Sequence, residues 1–419
     1  MKRRTVQPVT TVNAEVTVPG SKSLTARALV IGALGRGETI LRNALVAGDI
    51  HDMIQGLEAL GVRIDRGAGC LRILGTGGRL TPPETPLFLG GAGTAVRFLT
   101  AAAGLSGGRV MIDGNKRMRE RPIQDLLDGL APLGIRARAA RGDGCPPVLI
   151  EKGRFQGGRT TLRGGTSSQF LSAILLSGPC GREPTEVEVR DSLVSGSYVD
   201  LTLKIMRDFG AHVTHRQYRT FQVMPGPYEG RAYWIEGDMS SASYCLAAAA
   251  ITGGHIRVRG INPHTLQGDR GLVDVLETMG CRVRWNTDAV ELMGRPLRGV
   301  TVDMARMPDA VQTLAVAAGF ATGETRLTGV RHLRYKETDR LAALRRELDK
   351  MGIRSALKNN GMVIWGGKPR GAEIDTYGDH RMAMSFAVAG LRVPGVAIRD
   401  PECVGKSFPD FWEVLETLR

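Results

Sequence analysis

Aromatic side chains are scarce, 5% of 419 residues. The core must then be aliphatic, and the base-stacking platforms of single-strand nucleic-acid binders have little to be built from. Cysteine is sparse as well. Cys70, Cys145, Cys180, Cys245, Cys281 and Cys403 are scattered with no CxxC pair, which argues against a structural zinc or a disulfide framework and leaves buried or incidental thiols. No apolar run reaches membrane-spanning length; Leu246–Ile251 is far too short. Met1-Lys-Arg-Arg imitates the start of a signal peptide, but Thr5-Val-Gln-Pro-Val-Thr-Thr is no apolar core for one, so a cytoplasmic protein is expected. There is no Ser-His-Asp ordering, no HxxxH spacing and no nucleotide fingerprint; Gly90-Gly-Ala-Gly93 lacks both the lysine of a P-loop and the acidic partner of a dinucleotide fold. Acidic residues fall short of basic ones, 42 against 56, giving a net charge of +14. What matters is where those positive charges fall.

What the sequence does have is repetition. Glycines between a helical and a strand-like segment recur at Gly37, Gly108, Gly181, Gly254, Gly323 and Gly395. A second mark, an apolar residue and glycine closing another helix, runs in step at Gly61, Gly134, Gly210, Gly280 and Gly352. Both have a period of about 70 residues, so six units account for nearly the whole chain. The clearest unit opens at Asp309, which reads as a carboxylate cap on the helix through Leu314, closed by glycine and followed by a strand. Each unit holds two helices and several strands. The sixth ends at its second helix, and Val9–Val18 is expected to supply a missing strand, closing the array end to end.

Six units divide into two lobes of three. The expected boundaries put residues 1–20 and 236–419 in one lobe and 21–235 in the other, joined by two short crossings near Pro19-Gly20 and Pro225–Asp238. The fold class is α/β, of the α+β type.

Lys22, Arg27, Arg97, Arg119, Arg121, Lys336, Arg340, Arg381 and Lys406 lie at or within the first turns of these helices. A helix N-terminus is already partly positive, so each such cation is locally unfavourable by roughly 0.3–1 kcal/mol. Any one of them can be explained by a nearby carboxylate, as Arg340 by Asp339 or Glu337. Nine in register point to bound phosphate or carboxylate held by backbone N–H groups and side chains together. The helix openings are also small and polar, and Ser21 or Ser23, Ser168 and Ser241 read equally well as plain caps. Both lobes therefore look aimed at one anion-binding cleft. Asp309, Glu337, Asp379 and His380 are the acid–base candidates; Asp309 reads also as a cap and Glu337 as half of a helix salt bridge.

At these residues the chain resembles the 5-enolpyruvylshikimate-3-phosphate synthases. Pro19-Gly-Ser-Lys-Ser23 with Arg27, Leu89-Gly-Gly-Ala-Gly-Thr-Ala-Val-Arg97, Arg117-Met-Arg-Glu-Arg-Pro-Ile123, Ser167-Ser-Gln169, Gly237–Tyr244, Pro308-Asp309, Lys336-Glu-Thr-Asp-Arg340 and Asp379-His-Arg-Met-Ala-Met384 are similar to that family's motifs, in its order, over the whole chain. The resemblance implies two lobes of three βαβαββ-like units with helix N-termini facing an interlobe cleft. It implies transfer of the enolpyruvyl group of phosphoenolpyruvate to the 5-hydroxyl of shikimate 3-phosphate, with release of phosphate, in aromatic amino-acid biosynthesis. By motif match, Lys22, Ser23, Arg27, Ser167, Ser168, Gln169, Ser195, Asp309 and Lys336 would hold shikimate 3-phosphate. Lys22, Gly93, Arg121, Gln169, Arg340, Arg381 and Lys406 would hold phosphoenolpyruvate. Glu337 would protonate the methylene carbon, Asp309 would take the hydroxyl proton, and Lys22 would bridge both substrates. The resemblance calls for no metal or organic cofactor, no nucleic acid and no membrane, and for a monomer. Four positions depart from the pattern: Gly91 and Gly378 stand where asparagine is commoner, Phe98 where proline is, and His332 where some members carry asparagine. They bear on affinity and inhibitor response, not on the class of reaction.

Two rivals follow from the same residues. The sister enzymes acting on UDP-N-acetylglucosamine use a cysteine on a mobile loop of the second unit, and Gly107 to Arg121 contains none. A basic nucleic-acid-binding repeat protein is the other; its cations would form an exposed stripe instead of tracking helix starts.

Overall fold

The computed structural model describes residues 2–67 and 69–418. It divides into two compact units, one of Met1–Pro19 with Glu236–Arg419 and one of Gly20–Ile235, each with its own aliphatic core. Each repeat carries an inner and an outer helix. In chain order they are α1 (Lys22–Leu34) and α2 (Gly48–Ala59), α3 (Gly93–Ala103) and α4 (Gln124–Leu130), α5 (Ser168–Ser177) and α6 (Gly196–Asp208). The other unit continues with α7 (Met239–Thr252) and α8 (Gly271–Thr278), α9 (Val311–Ala318) and α10 (Arg340–Lys350), α11 (His380–Gly390) and α12 (Phe411–Thr417).

The odd-numbered helices are buried almost all round, α11 at every residue and α7 at all but one. A helix with no polar face belongs inside, and alanine-rich runs such as Leu246–Ile251 let backbones approach closely. In each unit three such helices pack against one another, α1 with α3 and α5, and α7 with α9 and α11. The even-numbered helices keep a polar face and lie outside them.

Each repeat also contributes a small sheet. In the third, Gly158–Leu162 runs parallel to Thr185–Val189, which pairs antiparallel with Thr220–Val223, and that strand pairs antiparallel with Val213–Arg216. Four other sheets repeat this order. The chain exchanges strands where it passes between units. Asn13–Thr17 precedes α1 yet runs parallel to His255–Arg259 of the fourth repeat. Ala232–Trp234 precedes α7 yet runs parallel to Glu38–Arg42 of the first. The sixth sheet is completed by Arg3–Thr5, antiparallel to Ala397–Arg399. The expectation that Val9–Val18 fills that gap is therefore corrected. The segment a few residues earlier fills it, and Asn13–Thr17 serves the fourth repeat.

Gly61, Gly134, Gly210, Gly280 and Gly352 all have φ between +74° and +121°. A side chain is strained there, which is why glycine recurs at this mark in the first five repeats.

Candidate active site

In residues 20–235, α1 begins at Lys22, whose Nζ donates to Asp49 Oδ2 at 3.0 Å. Ser21 occupies the cap position of α1 but its side chain makes no capping bond. One turn further, Arg27 is buried beneath the helix surface. Its Nε donates to Thr202 Oγ1 at 2.8 Å, and its terminal nitrogens donate to the carbonyls of Ser23 and Tyr198 at 2.8 and 3.0 Å. The rings of Phe98 and Tyr198 lie 5.4 and 5.9 Å from the guanidinium. Phe98, a departure from the family pattern, thus packs under the arginine. Burial lowers the Arg27 pKa to about 10, partly offset by Tyr198.

Arg97 is held similarly, donating to the carbonyls of Gly93 and Pro122 at 3.3 and 3.2 Å. A side chain at Gly93 would meet the Arg121 guanidinium at 2.7 Å, so glycine is what lets Arg121 lie across the start of α3. Ser167 caps α5 by accepting from the Gln169 N–H, and the Gln169 amide donates to Thr94 Oγ1 at 3.1 Å. Ser168 is the first residue of that helix and is buried. Ser195 opens α6 with φ 54°, a left-handed conformation rare for a side-chain-bearing residue and commonest at functional sites.

Residues 236–419 present a different chemistry. Arg340, the first residue of α10, is 1% exposed and gathers three carboxylates. Its Nε donates to Asp379 at 2.8 Å, and its terminal nitrogens to Asp309 at 3.0 Å and Glu337 at 2.9 Å. Arg381 donates to the other oxygen of Asp309 at 2.8 Å and to the Tyr244 hydroxyl at 3.3 Å. Lys406 lies 3.5 Å from the other oxygen of Glu337. Burial opposes the charge of Arg340, but Asp379, Glu337 and Asp309 overcome it and raise its pKa. Asp379 also caps α11 through the Arg381 N–H. Gly378 just before it has φ +66°, a conformation that glycine and asparagine both tolerate, which accounts for that departure. Lys336 ends the turn Arg331–Tyr335. With burial, its charge and that of Arg340 press the pKa of His332 down to about 3 against the pull of Asp309, so the imidazole is neutral.

Three sequence readings need correction. Asp309 is no helix cap: it sits in the turn Pro308–Ala310 before α9 and spends both carboxylate oxygens on Arg340 and Arg381. Ser241 does not cap α7, since Asp238 does and Ser241 N–H is the donor. The cations at helix starts are also not waiting for an outside anion as a set. Lys22, Arg340, Arg381 and Lys406 are met by carboxylates, and Arg119 is an exposed partner of Asp113. Apart from Glu337, three residues before Arg340, these carboxylates stand on other segments of the same repeat or on another repeat.

Asp269 went unassigned by sequence reasoning, although Gly268-Asp-Arg270 opens its outer helix as the other site motifs do. It is 3% exposed, accepts from Ser240 Oγ, and is pushed up to about pH 7 by burial and by the charge of Asp309, against the pull of Arg381. Tyr244 ends the segment Gly237–Tyr244, and its hydroxyl braces Arg381.

The EPSP synthase (3-phosphoshikimate 1-carboxyvinyltransferase) family model matches residues 6–415. A 3-phosphoshikimate 1-carboxyvinyltransferase of Serratia proteamaculans is 43% identical, over 99% of this chain and 98% of its own. One of Methanoculleus marisnigri is 44% identical, over 96% of each chain. The solved EPSP synthase structure from Acinetobacter baumannii is similar with a TM-score of 0.83 at 28% identity, covering 100% of this chain and 98% of that one. With its repeats, its motifs and these relatives in one order along the chain, this protein belongs to the EPSP synthase (3-phosphoshikimate 1-carboxyvinyltransferase) family.

Proposed function

We propose that the chain transfers the enolpyruvyl group of phosphoenolpyruvate to the 5-hydroxyl of shikimate 3-phosphate, and that the clustered side chains described above carry the reaction. The supporting observation is Arg340 with Asp309, Glu337 and Asp379 in hydrogen-bonding contact around one buried guanidinium. In this reading Lys22, Ser23, Arg27, Ser167, Ser168, Gln169, Ser195 and Lys336 hold shikimate 3-phosphate, with Asp309 at its hydroxyl. Lys22, Gly93, Arg121, Gln169, Arg340, Arg381 and Lys406 hold phosphoenolpyruvate, whose carboxylate and phosphate suit forked guanidinium donors.

Addition begins when the Glu337 carboxyl gives its proton to the methylene carbon. The 5-hydroxyl oxygen attacks the adjacent carbon and Asp309 takes the hydroxyl proton. Glu337 then recovers a proton from the new methyl group as the bond to phosphate breaks, and the proton held by Asp309 passes to the departing phosphate oxygen, which restores the double bond, releases phosphate and returns both carboxyls to their starting states. Arg340 and Lys406 are partners of Glu337 and would also be partners of the incoming anion. A carboxyl that yields its cations to an anionic ligand holds a proton more readily, which is the direction the first step needs. Phosphoenolpyruvate binding thus arms the acid by competing for its counter-ions.

A phosphate-release assay with each acceptor tests the reaction: turnover with shikimate 3-phosphate and none with UDP-N-acetylglucosamine is expected. Activity with the nucleotide sugar alone would overturn the assignment. Asp309→Ala and Glu337→Gln should each lower kcat by about 10²-fold or more, as loss of an acid–base group does. Near-normal turnover in both variants would remove their roles. Among the described residues no helix is long and apolar enough to cross a membrane. We take the enzyme to act as a cytoplasmic monomer, which sedimentation at working concentration would contradict by a dimer mass.

A further inference from the structure

At the end of residues 236–419 where the inner helices finish, a hollow of about 700 Å³ opens, the size of a small-molecule site. Thr252 at the end of α7, Phe320 just after α9 and Arg392 just after α11 line it. Arg295, Lys368 and Arg392 are its three charged residues, and no carboxylate lines it. Among the described residues none of the three makes an ion pair, and Arg295 reaches only the Met293 sulfur, at 3.7 Å.

The ordinary role for such cations is to cap helix carbonyls. Here backbone N–H groups already do that. Gly254 N donates to Ala249 O at 3.0 Å, Gly367 N to Gly319 O at 3.1 Å, and Val9 N to Leu391 O at 2.9 Å. Three helix C-termini carry roughly −1.5 charges in total, which offsets half of the three cations.

The other unit shows that the hollow is a feature of the sequence and not of the fold. Gly157, Gly230, Gly299 and Gly371 are equivalent positions: a Cβ at any of them would strike a carbonyl near the start of the neighbouring strand, at 2.1 to 2.5 Å. Two residues before the first pair stand Phe155 and Tyr228, both 1% exposed, with the Tyr228 hydroxyl donating to Leu176 O at 3.0 Å. Two residues before the second pair stand Leu297 and Pro369. Two aromatic plugs are thus replaced by smaller side chains, and the Gly-Arg-Pro and Gly-Lys-Pro turns at Gly294–Pro296 and Gly367–Pro369 set a cation beside each vacancy.

We propose that this hollow binds a small molecule with an apolar ring and two or three anionic groups, the ring against Phe320 and Leu297 and the anions on Arg295, Lys368 and Arg392. It is separate from the residues assigned to the reaction and does not depend on that assignment.

The test uses benzene-1,3,5-tricarboxylate as probe, titrated into the full chain by calorimetry. Binding of one probe per chain is expected. The triple variant Arg295→Gln, Lys368→Gln, Arg392→Gln should weaken it by about tenfold or more. Leu297→Tyr, which imports the plug and removes no charge, should do the same, and turnover should be unchanged in both. Should Leu297→Tyr fail to fold, the surface triple variant decides alone. No binding at about 10 mM probe, binding that survives the triple variant, or equal displacement of the probe by inorganic phosphate would each overturn the proposal, the last because charge alone would explain it.

Discussion

Arg27 and Arg340 are both buried arginines in the first turns of their helices, yet they are held in opposite ways. Arg27 rests on two carbonyls and a hydroxyl, all neutral. Arg340 rests on three carboxylates. A guanidinium held by neutral dipoles keeps a net positive charge ready for a fixed anion, at the cost of desolvation that its lowered pKa registers. A guanidinium held by carboxylates is neutralised until a ligand competes, so ligand binding there changes what the carboxylates can do with protons. Under the proposed function, the first arrangement suits steady anion binding and positioning, and the second suits exchange of partners and proton transfer.

The largest effect that would break this contrast is on stability. Arg340→Met leaves the Asp379 carboxylate, 0% exposed, without its main counter-ion, and should cost about 3–5 kcal/mol. Arg27→Met also removes a charge that burial disfavours, leaves only neutral acceptors behind, and should cost about 1–3 kcal/mol. Urea unfolding of both variants measures the difference, and equal losses would erase the distinction.

Next in size is Gly93→Ala. The added methyl meets Arg121, the far end of a flexible side chain, so the fold should barely notice. With Arg121 holding phosphoenolpyruvate as proposed, its displacement by about 1 Å should nevertheless raise the KM for that substrate by roughly tenfold or more. Unchanged KM would mean that Arg121 is free to relax without loss.

A smaller effect follows pH. The pKa of Asp269 is raised in the folded state to about 7 from an ordinary carboxylate value. Between about pH 4 and pH 7 the folded chain then binds the extra proton, and the contribution of this group falls as pH rises through that window. Asp269→Asn should flatten that slope, with its gain largest above pH 7. A slope unchanged in the variant would assign it to another group.

The period of the repeat was legible because its second mark is written in glycines that all adopt positive φ, and no tertiary contact is needed to read them. Motif order likewise located Asp309, Glu337, Arg340 and Arg381. Strand partners at the crossings were not legible, since Asn13–Thr17 and Ala232–Trp234 satisfy their hydrogen bonds with strands 242 and 192 residues away in sequence. Of the charge pairs around Arg340, the sequence showed only the one with Glu337, three residues before it. Asp309 precedes a helix and looks like a cap, and only the fold brings Arg340 and Arg381, 31 and 72 residues on, to its two oxygens.

The smallest expected effect tests how far position alone can be trusted. Arg119 lies among the cations that cluster at helix starts, in the motif segment Arg117–Ile123, and sequence spacing ranks it with Arg121. The structure separates them: Arg119 is 45% exposed and paired with Asp113, whereas Arg121 is buried against Gly93. An exposed pair is worth about 0–1 kcal/mol, and Asp113 keeps the Gly114 N–H when the arginine goes. Arg119→Ala should therefore change stability by less than about 1 kcal/mol and leave KM for both substrates as it was. A large rise in either KM would mean that the helix-start pattern, not burial, marks the working cations, and the contrast between neutral and carboxylate-held arginines would lose its meaning.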